Sequence, residues 1–145
     1  MTKKKIEVPQ NDKQKAQELL LLYQLLQKNI ELLSQQLSMA EKSLLEIEVS
    51  EHAVHDFEQL AENTEMIVPL GSNCFAYGKS TEKKKLLVGV GANLVVSKDA
   101  KETLAFLAAR KAEIEKVRTK LETEIKHSLD KINELTPQLQ QFIKG

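Results

Sequence analysis

The 145-residue sequence has no tryptophan, four phenylalanines and two tyrosines, and this scarcity of aromatic side chains limits the core that it can build. Most globular domains of similar length fill their interior with more large side chains of this kind. The apolar residues are instead mainly leucine, isoleucine, valine and alanine, dispersed among lysine, glutamate and glutamine. That mixture is typical of long helices and coiled coils, so we expect helix to dominate.

An excess of either charge is also missing, because 21 basic residues balance 21 acidic ones. The chain therefore lacks the overall basic field that binds nucleic acid. One cysteine cannot form an internal disulfide, and the lysines at positions 3–5 are not followed by the apolar segment of a secretion signal. Apolar runs are far shorter than the ~20 residues of a membrane span. We expect a cytoplasmic protein with no nucleic-acid or membrane partner.

Two segments place apolar residues at alternating steps of three and four, which is the seam pattern of a coiled coil. The first, expected to be a helix over residues 12–62, has the seam Leu19, Tyr23, Leu26, Ile30, Leu33, Leu37, Ala40, Leu44, Ile47 and Val54. The second, expected over residues 99–143, has the seam Leu104, Leu107, Ile114, Leu121, Ile125, Ile132, Leu135, Leu139 and Phe142, with Lys111, Arg118 and Ser128 in the same register. Their similar lengths favour an antiparallel pair, and Pro137 is expected to kink the second helix or end it early.

Residues 65–97, between the two seams, form four short apolar runs at 66–70, 74–77, 86–90 and 94–96. Gly71-Ser72-Asn73 and Gly91-Ala92-Asn93 supply the turn residues of two β-hairpins. The predicted fold is therefore α+β: a single subunit made of a long antiparallel two-helix coiled coil with two β-hairpins at the bend.

The predicted strands are apolar on both faces, so each face of the hairpins needs a cover. Four strands cannot close a barrel alone, and subunit assembly would pool them into one and remove their exposed edges. The expected oligomer interface consists of Ile67, Val68, Leu70, Phe75, Tyr77, Leu87, Val88, Val90, Leu94, Val95 and Val96.

The order of helix, two hairpins and helix resembles the alpha class of archaeal-type prefoldin subunits. The segments that carry this resemblance are Val68-Pro69-Leu70-Gly71, Val88-Gly89-Val90-Gly91-Ala92-Asn93 and, more weakly, Leu135-Thr136-Pro137-Gln138. The beta class has one hairpin in a shorter insert, so two glycine turns favour the alpha class. The resemblance implies a chaperone that needs no ATP or other cofactor, in a hexamer of two alpha-type and four beta-type subunits. It further implies that unfolded or nascent polypeptides are held at the coiled-coil tips and delivered to a group II chaperonin.

The free ends of such a helix pair, near residues 12–30 and 130–145, carry more leucine than the seam requires. Leu20, Leu21, Leu22 and Leu25 lie off the seam, and exposed apolar patches usually mark interaction surfaces. The residues expected to contact client are Leu19, Leu20, Leu21, Leu22, Leu25, Leu26, Leu135, Leu139, Phe142 and Ile143. Alternatively, these side chains pack around a broad helix pair or against a neighbouring subunit.

Other patterns have simpler structural explanations. His52 and His55 lie near Glu48 and Glu51, but a mixed-charge helix produces such spacings by chance, so we expect no metal site. Cys74 is expected to be a small buried apolar residue. No combination of acid, base and nucleophile indicates an enzyme. The remaining alternative is a coiled-coil scaffold or spacer that binds one fixed folded partner.

Overall fold

Two long helices flank four short strands along the chain in the computed structural model, which describes residues 10–81 and 85–143. Of residue 143 only the backbone is described. In order, the elements are α1 (Gln10–Gln59), β1 (Glu65–Gly71), β2 (Cys74–Lys79), β3 (Leu86–Gly91), β4 (Leu94–Lys98) and α2 (Ala100–Ile143). The predicted α+β fold, with two helices and two antiparallel hairpins, is confirmed.

The described chain divides into two compact units. The first unit joins the part of α1 up to Glu41 to the part of α2 from Lys116, and the second unit is Lys42–Glu115, which includes all four strands. Each unit has its own small core.

The core of the first unit follows the predicted seam. Its buried side chains recur every seven residues on each helix: Leu26, Leu33 and Ala40 on α1, and Leu121, Ser128 and Leu135 on α2. Asn29 reaches across the pair, where its Nδ2 donates a hydrogen bond of 3.4 Å to the Ser128 Oγ. A seven-residue interval on both partners is the signature of coiled-coil packing.

The core of the second unit contains the next seam residues of α1, with the start of α2. Its buried residues are Leu44, Ile47, Val54, Ser80, Ala100 and Thr103. Lys111, which occupies the seam register of α2, keeps its ammonium group near water and forms an ion pair with Glu48 at 3.6 Å. A lysine can occupy this seam position because its aliphatic stem packs against the neighbouring helix while its charged end reaches solvent.

Ser80 connects the first hairpin to the end of α1. Its Oγ accepts a hydrogen bond from the Thr64 backbone N–H at 2.9 Å and donates one to the Ala61 carbonyl at 2.7 Å. The helix has by then tightened, since the Leu60 N–H donates to the Phe57 carbonyl three residues earlier. These bonds pair backbone groups of the connector between α1 and β1, and they hold the chain in a non-helical path after α1 ends at Gln59.

α2 begins with a side-chain cap and runs through its proline. The Asp99 Oδ1 accepts a hydrogen bond from the Glu102 N–H at 2.7 Å, which is the bond of an N-cap. Of the two effects expected of Pro137, an early end of the helix is wrong, because α2 continues to Ile143, and a kink stays a prediction. Near the proline, the Thr136 hydroxyl donates a hydrogen bond of 2.8 Å to the Ile132 carbonyl.

The two hairpins have the same turn. β1 pairs with β2 and β3 with β4, and in each pair the register shifts one residue before the turn, at Leu70 and at Val90. The two central turn residues both have positive φ, 48° and 60° at Ser72 and Asn73, as a type I′ turn requires. A type I′ turn matches the twist of the strands that it joins. The two predicted hairpin turns are therefore confirmed by their positive φ angles.

Gly91 offers a test of this turn geometry. Its φ of 105° is a conformation that a side chain makes costly, whereas φ at Gly89 lies outside that region, and an added Cβ would meet no atom within 4 Å at either position. We expect Gly91→Ala to cost about 1–2 kcal/mol and to speed hydrogen exchange of the β3 and β4 amides roughly five- to thirtyfold. The matched change Gly89→Ala should leave exchange unaltered, and equal effects of the two changes would contradict the assignment of strain to Gly91.

Candidate apolar interaction surfaces

The strands of the second unit carry a large exposed apolar surface, which we call the strand surface. Ten of the eleven predicted interface residues are exposed, with Tyr77 at 92% and Leu87 at 79% of their full accessibility, and Val88 is half-buried. The strand surface consists of Ile67, Val68, Leu70, Phe75, Tyr77, Leu87, Val88, Val90, Leu94, Val95 and Val96.

Residues of the strand surface lie on both faces of the hairpins. Adjacent strand residues point to opposite faces, and the neighbours Ile67 and Val68, like Leu94 and Val95, are exposed in succession. A two-stranded hairpin is at best marginally stable alone in water. Exposed apolar area on this scale marks an interaction surface in an otherwise well-formed chain.

A second apolar surface lies near the start of α1 in the first unit, and we call it the leucine patch. It consists of Leu20, Leu21, Leu22 and Leu25, whose side chains are 44% to 59% exposed. Successive helical residues point about 100° apart, so three consecutive leucines cover several faces of the helix. The surroundings are polar: Gln14, Gln17 and Glu18 line a shallow depression of about 390 Å³ together with Leu21.

The other predicted client-contact residues are less accessible. Leu26 and Leu135 are buried in the core of the first unit, and Leu19, Leu139 and Phe142 are half-buried. The side chain of Ile143 lies outside the described residues. Among the ten predicted residues, the four of the leucine patch therefore offer the largest apolar area to a partner.

Sequence reasoning missed two exposed apolar residues of the same helix. Leu32 and Met39 follow Leu25 at intervals of seven residues, and all three are exposed. The repeat is visible in the sequence, one residue before the seam residues Leu26, Leu33 and Ala40.

Several residues with chemical potential do not form a site. Across residues 10–81 and 85–143, no three His, Cys, Asp or Glu side chains converge in a way that could hold a metal ion. Cys74 is exposed in this chain, so the expectation of a buried thiol is wrong. It directly follows the turn, with its Sγ 3.7 Å from the Ser72 carbonyl oxygen.

Neither long helix is a membrane-spanning segment. Within the described part of the chain, no stretch of helix combines the length and the apolar character needed to cross a bilayer.

Comparison with known proteins identifies relatives along most of the chain. Residues 26–145 match the family described as prefoldin subunit. Prefoldin subunit alpha of Methanothrix thermoacetophila is 31% identical over 106 residues, which cover 73% of this chain and 69% of the relative. Prefoldin subunit alpha of Archaeoglobus fulgidus is 26% identical over 117 residues, covering 76% and 85% respectively.

Solved structures share the fold. A chain of filamentous PFD from Methanocaldococcus jannaschii, determined by cryo-electron microscopy, has a TM-score of 0.71 at 22% identity, covering 79% of this chain and 94% of that one. The crystal structure of the prefoldin beta subunit from Thermococcus strain KS-1 has a TM-score of 0.59 at 20% identity, covering 90% and 94%.

Proposed function

Because the chain belongs to the prefoldin subunit family, whose members are chaperone subunits, we propose that it is an alpha-type subunit of an ATP-independent holdase. It captures unfolded or nascent polypeptides in the cytoplasm with its coiled-coil tips and delivers them to a group II chaperonin. The observation that carries this proposal is the leucine patch, four apolar side chains open to solvent on a helix whose seam residues are otherwise covered.

The leucine patch suits a client of no fixed sequence. Unfolded polypeptides expose apolar segments, and each leucine contributes by removing apolar area from water, without directional bonds that would select a sequence. The patch spreads over several faces of one helix and forms no enclosed pocket, so one chain alone would bind weakly. Two copies of the patch in one hexamer raise retention by roughly 10²- to 10⁴-fold through effective concentration.

The strand surface supplies the means of assembly in this proposal. Its apolar side chains need a cover on both faces, and neighbouring hairpins of other prefoldin subunits would provide it. We propose that this chain contributes two hairpins to a hexamer of two alpha-type and four beta-type subunits, with the pooled strands closed into barrels. Kinship with alpha subunits and the structural likeness to a beta subunit both support this arrangement.

Light scattering of a denatured client tests the proposed function. The chain, assembled with a beta-type partner, should lower the scattering in proportion to its concentration without any nucleotide. A scaffold or spacer subunit that binds one fixed folded partner would leave the scattering unchanged, and that outcome would contradict the holdase assignment.

A further inference from the structure

The two hairpins have the same backbone design. Gly71 and Gly91 have φ angles of 101° and 105°, and each precedes a two-residue turn that ends in asparagine. The pairing register and its shift before the turn are also the same in both hairpins. Each position of the first hairpin therefore corresponds to the position 20 residues later in the second. At one such pair of positions the backbone chemistry differs, since β1 has Pro69 where β3 has Gly89.

Each strand has a free edge, on the side away from its partner. Among the described residues, β1 pairs only with β2 and β3 only with β4. In an antiparallel pair, every second residue bonds to the partner strand and the residues between them point to the free edge. The Ser80 N–H donates to the Thr64 carbonyl at 3.0 Å, so Thr64 is a bonded position. By alternation from Thr64, the backbone groups of Ile67 and Pro69 point to the free edge of β1.

Pro69 removes a hydrogen-bond donor from that free edge. Proline has no N–H, and its ring fills the space where the N–H would be, so it is compatible with a position that makes no bond to β2. At the corresponding positions of β3, Leu87 and Gly89 keep their N–H groups, about 6.8 Å apart. Both residues are exposed. β3 thus offers two successive donors where β1 offers one.

The partner that fits the free edge of β3 is an extended strand. Its N–H and C=O groups alternate at strand spacing and match the backbone of another strand, whereas a helix uses its own backbone groups internally. Leu87 and Val88 belong to the strand surface and lie on opposite faces beside this edge. A strand of a neighbouring hairpin would therefore bond to the edge and continue the cover that these apolar side chains need.

We propose that a strand of a neighbouring subunit pairs with the free edge of β3, and that Pro69 keeps the free edge of β1 out of the hydrogen-bonded ladder. This inference rests on the proposed function and specifies how the assembly is joined. The two hairpins then have different places, because the second accepts a strand beside β3 and the first ends the ladder at β1. The pooled strands close at β1 by side-chain packing rather than by hydrogen bonds.

Hydrogen exchange of single amides tests the proposal on the unaltered chain, alone and assembled with a beta-type partner. We expect assembly to slow the amides of Leu87 and Gly89 by about 10²-fold or more, and the slowing at Ile67 to be smaller by about tenfold or more. Equal slowing at Ile67 and Leu87, or none at Leu87, would overturn the inference. Slowing that occurs only after a denatured client is added would also overturn it, because the added strand would then belong to the client.

A pair of variants at one position isolates the N–H group. Gly89→Pro removes it, and Pro69 shows that the same hairpin backbone accommodates a proline at the corresponding place. Gly89→Ala keeps the N–H and adds a Cβ that meets no atom of this chain within 4 Å. We expect Gly89→Pro to assemble with the beta-type partner roughly ten- to hundredfold more weakly than Gly89→Ala, measured by sedimentation of the mixed subunits.

The outcomes separate this inference from the proposed function. A Gly89→Pro complex that assembles as well as Gly89→Ala and still lowers client scattering would overturn the inference and leave the holdase function intact. An assembled parent complex that leaves the scattering of a denatured client unchanged would instead overturn the proposed function, and with it the inference.

Discussion

An assembled complex with Leu20→Ser, Leu21→Ser, Leu22→Ser and Leu25→Ser is expected to keep its mass and lose most of its suppression of client aggregation. These side chains are 44% to 59% exposed, so their removal costs the helix pair little. The loss of client binding is large because a small deficit at each patch is multiplied over every alpha-type arm in the assembly. Light scattering with a denatured client and no nucleotide measures the effect.

The control for this prediction removes similar areas of exposed aliphatic side chain from two different places on α1. Leu21→Ser with Leu25→Ser should impair suppression, whereas Leu45→Ser with Val49→Ser should not, although the latter pair is at least as exposed. Helix content by circular dichroism should be equal in the two variants, because both place two serines on the outside of α1. Equal suppression by the two variants would argue against a specific role for the leucine patch.

Ile67→Asp together with Leu87→Asp is expected to prevent assembly with a beta-type partner. Both side chains are exposed in this chain and belong to the strand surface, which the proposed hexamer covers. Burying an unpaired carboxylate in an apolar interface costs several kcal/mol, so the assembly should weaken by at least ~10²- to 10³-fold. Native mass spectrometry of the mixed subunits would then show separate chains.

Leu45→Asp with Val49→Asp is the matched control for the strand surface, since it places two carboxylates on similarly exposed positions of α1. That variant should assemble as the parent does. A complex of full mass formed by the Ile67 and Leu87 variant would show that the strand surface is not the assembly interface.

The elements of the fold could be predicted because each depends on local pattern. The seven-residue repeat specified the helix pair, and the glycine-containing turns specified the hairpins within one or two residues. The predicted end of α1 at residue 62 lies three residues beyond Gln59, because the local pattern does not contain the bond from Ser80, which returns across the hairpin, to the Ala61 carbonyl. Pro137 did not end α2 early, which was one of its two expected effects, although a proline inside a helix usually disrupts it.

The accessibility of the candidate sites was harder to predict than the fold. Leu25 and Leu26 are adjacent leucines near one end of a helix, yet the first is exposed and the second is buried. The seam pattern already separated these two leucines, but Leu26 and Leu135 were also expected to contact client, and both are buried. Cys74 differs from expectation for a physical reason, because a single chain cannot cover the hairpin surfaces that assembly is proposed to cover.

Photo-crosslinking tests the central claim, that the exposed leucines hold the client, most directly. A photoreactive amino acid is introduced at Leu22 in one complex and at Val49 in another, and each is illuminated with a denatured client and no nucleotide. We expect client adducts from position 22 and few or none from position 49. Adducts in equal yield from both positions, or none from position 22, would contradict the account.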